Sequence, residues 1–276
     1  MNVIVICGDH KRNNCIIEHL KKIKYVNISK IFVFKRDNLI PKSPDFLNSN
    51  LKKLWNLHFE KREEAENKRF KFNLYENIEE KKIVNIKNIN EILKYQNEIT
   101  NLQPQICFLS GVPILRKNLM DILPKFTINL HLGLIPHYRG AVTMFWPFLF
   151  LEPSMAGTTY HIIDEKVDAG EILHNNVPKL EKNDGMHDVA AKAVVDASKD
   201  IKLIVDHVRY RIDKNIKPKF DPTLINKGKL FLKSDWKPSM LRIIYELFED
   251  KIVDLYLENK IDCRKPDLKK LSRIKQ

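Results

Sequence analysis

Asn129 and His131 stand two apart in the stretch NLHLGLIPHYRG, at the end of an apolar run that breaks at Pro136 and Gly140. Side chains two apart in a strand share a face, so this amide and this imidazole are expected to point into the same place. Asn129 can donate through its amide, and His131 can give or take a proton near neutral pH. Further along, GTTYHIIDEKVDAGEI carries Asp168, a carboxylate able to hold an imidazolium or a water. Together the three suit acyl transfer to an amine, where a tetrahedral oxyanion must be stabilised while the attacking nitrogen loses a proton. Each residue alone has a plainer use. A histidine at a strand end is commonly structural, an asparagine there caps a turn, and the aspartate of an Asp-Ala-Gly run is an ordinary turn residue.

The surrounding pattern says what must position these groups. The first 40 residues run VIVIC, an amphipathic stretch around NCIIEHLKKI, then KIFVFK, a strand, helix, strand order typical of a parallel α/β sheet. KIVNI, a helix over INEILKYQNEI, the strand QICFLSG and the strand FTINLH continue that spacing. In such sheets ligands collect at the carboxyl ends of the strands, which is where Asn129 and His131 lie. Residues 51–74 put Leu51, Leu54, Trp55 and His58 at helical spacing ahead of a charged run, predicting an inserted helix beside the site. AGTTYHIIDEKVDAGEILHNNVPK predicts two β segments joined by a turn around DEKVDAG. A long helix is expected over 186–212. In the tail, KGKLFL precedes Leu241, Ile244, Tyr245, Phe248, Ile252, Leu255 and Tyr256, again at helical spacing.

Composition narrows the partners. The 276 residues carry 48 Lys and Arg against 35 Asp and Glu, a net charge of +13. Residues 201–276 hold 19 of the basic and 11 of the acidic groups. That excess fits a lysine-rich composition, but it keeps nucleotide phosphates and RNA open as partners. The turn GDHKRNN after the first strand has neither a GxGxxG nor a Walker pattern, so a dinucleotide or P-loop role has no support. Cys7, Cys15, Cys107 and Cys263 form no CxxC pair, which argues against a disulfide framework and a zinc site. Cys7, His10 and Cys15 share one short span, yet a closed zinc site wants four ligands, so no metal is expected. The run MFWPFLFL at 144–151 is far short of the roughly 20 residues of a membrane helix. The amino end is expected to be a first strand rather than a leader, and the protein cytoplasmic with no membrane contact.

The order of the motifs is more telling than any one of them. N-x-H at 129–131, L-I-P at 134–136, Y-R-G at 138–140, G-T at 157–158, His161 and D-A-G at 168–170 resemble the N10-formyltetrahydrofolate-dependent formyltransferase family. The resemblance is close over about residues 100–200 and extends to the first 100 only in strand order. It implies a Rossmann-like, mostly parallel sheet with flanking helices, a catalytic domain at 1–212 and a small C-terminal α/β subdomain at 213–276. By that resemblance Asn129 and His131 would polarise the formyl oxygen, and Asp168 would keep the histidine and a water placed for proton transfer. The co-substrate N10-formyltetrahydrofolate would bind against Val112, Ile114 and Leu115 and against the 164–168 loop, including Asp164 and Asp168.

Where many relatives have serine, this chain has Gly133, and HLGLIPHYRGAVTMFWPF looks most like the sugar-nucleotide branch. The expected acceptor is therefore a nucleotide-linked amino sugar, giving an N-formyl sugar nucleotide for surface polysaccharide synthesis. Tyr138, Arg139 and Trp146 are expected to line its pocket, although a buried helix is the plainer reading of 145–148. The alternative acceptor is methionyl-tRNA, which the basic charge would suit. The tail is expected to be too short for the tRNA-binding barrel of that branch, so nucleic acid is not the expected partner. A homodimer is left open.

Overall fold

The computed structural model describes residues 1–35, 40–71, 78–219 and 221–272. Its centre is a seven-stranded sheet in the order β3-β2-β1-β4-β5-β7-β8. The strands are β1 (Asn2–Gly8), β2 (Asn27–Phe34), β3 (Ile83–Ile86), β4 (Ile106–Ser110), β5 (Phe126–His131), β7 (Thr158–Ile162) and β8 (Ile172–Asn176). The first five pair in parallel, and β7 and β8 run antiparallel at one edge. β6 (Tyr138–Gly140) and β9 (Lys229–Phe231) form a separate two-stranded parallel ribbon.

Alternation along β1 explains the layering. Val3, Val5 and Cys7 face one side, with Ile16, Ile17 and Leu20 of α1 (Lys11–Lys21) and Ile201, Ile204, Val205 and Val208 of α6 (Met186–Asp213). Ile4 and Ile6 face the other side, with Ile92, Ile99 of α3 (Gln96–Leu102) and Leu119 of α4 (Lys117–Met120). A sheet covered on both faces needs continuous apolar strands, and VIVIC and ICFL supply them. Each such side chain contributes on the order of 1.5–3 kcal/mol on burial.

The inserted helix is α2 (Ser49–Arg69), capped at its start by the Asn48 side chain. Positions 72–74 of the predicted stretch lie outside the described residues. The expected helix over 89–99 divides into a 3-10 segment at Ile89–Tyr95 followed by α3. The hairpin of β7 and β8 and the long α6 follow the sequence pattern.

The expected tail helix does not run through. A π-helical turn at Ile243–Leu247 and α7 (Ile252–Leu257) are separated by Glu249 and Asp250, both left-handed at φ 50° and 60°. The break has a tertiary cause, because Asp250 accepts from the Met186 N–H at the start of α6 (3.0 Å) and pairs with Lys61 (3.3 Å). Leu241, Ile244, Ile252 and Val253 of the 213–276 segment pack with Leu134, Tyr138, Phe148 and with Trp146 of α5 (Trp146–Leu149) in one cluster. An extended stretch then returns to β8, where Asn175 N–H donates to the Lys269 carbonyl (2.7 Å).

Candidate active site

A cleft of about 1390 Å³ opens at the carboxyl ends of the parallel strands, lined by Phe34 and Lys35 at the end of β2, Gly111 after β4, and His131 and Leu132 at the end of β5. This is the side on which open α/β sheets bind ligands. Asn129, His131 and Asp168 all line it. The strand register brings in a fourth group, since Asn129 pairs across β5 and β7 with His161, which lines the same cleft. His161 was visible in the motif, but nothing in its spacing says that an antiparallel neighbour would lay it beside Asn129.

The partners fix the protons. His161 Nδ1 lies 3.1 Å from the Ile162 carbonyl, while Nε2 faces both the Asn129 amide nitrogen (3.1 Å) and Asp168 Oδ1 (3.5 Å). His131 Nε2 lies 2.9 Å from the Tyr138 carbonyl, an acceptor only, which assigns the hydrogen to Nε2 and the lone pair to Nδ1. That Nδ1 is 3.5 Å from Asp168 Oδ2, longer than a formed hydrogen bond and close enough for charge to act. Burial lowers the His131 pKa below its ordinary value, with Asp168 working against that shift. Burial would raise the Asp168 carboxyl, but His131, His161 and the Gly140 N–H (2.8 Å) outweigh it and hold the group well below its usual range. The pair is thus a neutral imidazole beside an ionised carboxylate near pH 7.

Two backbone positions are tightly specified. A side chain on Gly133 would come within 2.7 Å of both His131 Nε2 and the Tyr138 carbonyl, so the departure from serine keeps that contact intact. Asp168 sits at φ 47°, a region aspartate tolerates better than most residues.

The residues expected around the co-substrate fall on the wall. Val112, Ile114, Leu115 and Asp164 all line the cleft with Ile163 and Val167, and Ile114 is 70% exposed, which removes a core role for it. The expected acceptor residues lie outside the linings of both cavities. Tyr138, Arg139 and Trp146 are buried, and none of them lines this cleft or the cavity beside it. The Tyr138 hydroxyl is taken by Glu152, the Trp146 indole N–H donates to the Ala141 carbonyl (2.8 Å), and both rings stack on Phe231.

A second cavity of about 380 Å³ adjoins the cleft, sharing Gly111, Leu132, Val142 and Thr143 with it. Its wall carries two guanidiniums, Arg12 and Arg62, and one carboxylate, Glu66, along with His10, His58 and His187. Glu66 pairs with Arg12 (2.9 Å), His10 (3.1 Å) and Arg62 (3.5 Å). His10, grouped in sequence with Cys7 and Cys15, thus faces this ion cluster. His58 is pushed down to about 3 by burial and by Arg62, and His187 is lowered by burial and its cationic neighbours. Both imidazoles are neutral and leave the wall with a net positive charge. The sequence signalled only that α2 lay near the site, not that Arg62 would meet Arg12.

The formyl transferase domain family matches residues 59–204, just over half of the chain. The chain belongs to this family. A methionyl-tRNA formyltransferase of Thermodesulfovibrio yellowstonii is 30% identical over 141 residues, which are 51% of this chain and 44% of that protein. The bifunctional polymyxin resistance protein ArnA of Wigglesworthia glossinidia brevipalpis is 34% identical over 99 residues, 36% of this chain and 15% of that protein. The chain therefore spans less than half the length of either relative. In fold it is similar to a phosphoribosylglycinamide formyltransferase of Anaplasma phagocytophilum, with a TM-score of 0.52 and 15% identity over 84% of this chain and 97% of that one. It is also similar to a 4-N formyltransferase of Francisella tularensis, with a TM-score of 0.50 and 19% identity over 85% of this chain and 77% of that one. Among the described residues no helix is long and apolar enough to cross a membrane.

Proposed function

We propose that this protein transfers the formyl group of N10-formyltetrahydrofolate to the amino group of a nucleotide-linked amino sugar. The observation that carries the acceptor class is the second cavity, whose wall holds Arg12 and Arg62 and which meets the cleft at Gly111, Leu132, Val142 and Thr143. A small cavity with two arginines on its wall suits one or two phosphates on a small molecule. The cleft suits the folate, with apolar Val112, Leu115, Ile163 and Val167 for a flat ring and Asp164 for polar edges.

Bound there, the folate supplies a formyl group on N10. The acceptor nitrogen adds to the formyl carbon, and its proton passes to the lone pair on His131 Nδ1. Asp168, ionised 3.5 Å away, stabilises the imidazolium that forms. The developing oxyanion is met by the Asn129 amide and then by the new Nδ1–H. Collapse breaks the bond to N10, the proton on His131 Nδ1 passes to that nitrogen, and tetrahydrofolate leaves with His131 neutral again.

A second acceptor, methionyl-tRNA, is favoured by the named activity of the Thermodesulfovibrio relative. The test is a screen of dTDP-, UDP- and GDP-linked amino sugars and charged initiator tRNA with N10-formyltetrahydrofolate, following tetrahydrofolate release. Turnover of an amino sugar that survives moderate salt is expected, since few phosphates are met. Efficient formylation of the tRNA with a steep salt dependence would overturn the sugar reading and leave Asn129, His131 and Asp168 in their roles.

A further inference from the structure

β6 has two edges with different duties. In an extended strand the backbone groups of successive residues point to opposite sides. Tyr138 C=O and Gly140 N–H therefore share one edge, and that edge holds His131 Nε2 (2.9 Å) and Asp168 Oδ2 (2.8 Å). The other edge pairs with β9, where Ala141 N–H donates to the Phe231 carbonyl (2.8 Å) and Lys229 N–H donates to the His137 carbonyl (3.3 Å). One three-residue strand thus stands between the reacting pair and a segment about 90 residues further along the chain.

The fit at that junction is close. Gly140 has φ 90°, and a Cβ there would meet the Phe231 carbonyl at 2.2 Å. The Phe231 ring stacks on Trp146 (4.6 Å between centroids, 17°) and on Tyr138 (5.8 Å, 18°), and it is 3% exposed. Phe231 and its neighbours Leu230, Leu232 and Lys233 contribute to the cleft wall.

We propose that Phe231 is a positioning residue for formyl transfer, anchoring β9 so that β6 presents the Tyr138 carbonyl to His131 and the Gly140 N–H to Asp168. The ring acts through the ribbon and touches no reacting atom. Without it, the carbonyl that fixes the His131 tautomer and the N–H that holds Asp168 Oδ2 in place both drift. This inference rests on the formyl-transfer reading, so its test has a readout that needs no turnover.

The variants are Phe231→Ala, Phe231→Tyr, which keeps the ring, and Lys229→Pro, which deletes the exposed N–H given to His137. The two measurements are the pH profile of kcat and the NMR titration and tautomer of the His131 ring nitrogens. Phe231→Ala is expected to lower kcat about 10- to 100-fold per folded molecule, move the acid limb of the profile upward and remove the preference for Nε2–H on His131. Phe231→Tyr should restore all three. Lys229→Pro should move them the same way but less, and it carries the test if Phe231→Ala does not fold. Unchanged His131 titration and tautomer in a folded variant would overturn the clamp, as would a change confined to a substrate KM. A wild-type protein that formylates none of the acceptors but whose His131 signals respond as described would overturn the formyl-transfer reading and leave the clamp standing.

Discussion

The cleft and the second cavity share four wall residues and are built by opposite means. Asn129, His131, His161 and Asp168 come from 40 consecutive residues, and strand register and backbone hydrogen bonds hold them. Arg12, Arg62, Glu66 and His187 come from α1, α2 and α6, and side chains hold side chains. Geometry that chemistry demands to within a fraction of an ångström is thus placed on backbone, while recognition is placed on long side chains that can adapt. Substitutions in the first region should act on turnover, and those in the second on acceptor affinity.

The largest effect is expected in the cleft. His131→Asn and Asp168→Asn should each lower kcat by roughly two to four orders of magnitude with little change in acceptor KM, the range for losing an acid/base or an oxyanion stabiliser. Asparagine tolerates the left-handed backbone at 168, so folding should survive there. Steady-state kinetics on both variants measure this, and near-normal turnover would remove the two residues from the chemistry. Arg12→Ala and Arg62→Ala should do the reverse, raising acceptor KM about 10- to 100-fold, the worth of a charge-assisted hydrogen bond, with kcat nearly kept. A loss confined to kcat in the arginine variants would erase the division between the regions.

Much of the first region was legible in sequence, because residues two apart on a strand share a face whatever the rest of the chain does. The N-x-H pair and the β7–β8 hairpin needed only local rules. The second region was not, because Arg12 and Arg62 meet only after α1 and α2 dock, and nothing in EKREEAENKRF separates the arginine facing a cavity from those facing solvent. The burial of Tyr138 and Trp146 was hidden for a related reason. Their types suit a ligand wall, but the partner that buries them, Phe231, arrives from the distant tail. The continuous tail helix failed at Asp250, where a carboxylate at the start of α6 outweighs helical propensity.

Acidification should act on buried histidines of both regions, and a substitution at His58 isolates the second cavity. His58, pushed from an ordinary value of 6.5 down to about 3, and His187, also lowered, bind fewer protons folded than unfolded. Their contribution to stability is complete above about pH 6.5 and is lost as the pH falls below it, by up to about 1.4 kcal/mol per pH unit for each group. Asp168 has a depressed folded value, so its contribution persists until the pH falls through the ordinary carboxylate range and only then declines. Urea unfolding between pH 7.5 and pH 4.5 should therefore report His58 and His187 together with His131 of the cleft, which burial also lowers, before Asp168. His58→Gln should flatten that slope by about one proton's worth. A slope identical to that of the unsubstituted protein would mean that His58 is protonated in the folded state.

The smallest effect belongs to the rim of the cleft, where neither way of building applies. Lys117, at the start of α4, pairs with Glu165 (3.3 Å) on the 163–168 loop, and so links the two segments expected to hold the folate. Both side chains are mostly exposed, and Lys117 also pairs with Asp121 (3.3 Å). Such pairs are screened by salt and cost side-chain freedom to form, so little net attraction survives. Lys117→Ala is therefore expected to raise the folate KM by less than about fivefold, to leave kcat unchanged, and to show no difference from the unsubstituted protein at high salt. Stopped-flow folate binding at two ionic strengths would measure this. A large, salt-resistant loss would put Lys117 in contact with the ligand itself, and recognition by side chains would then extend from the second cavity into the catalytic cleft.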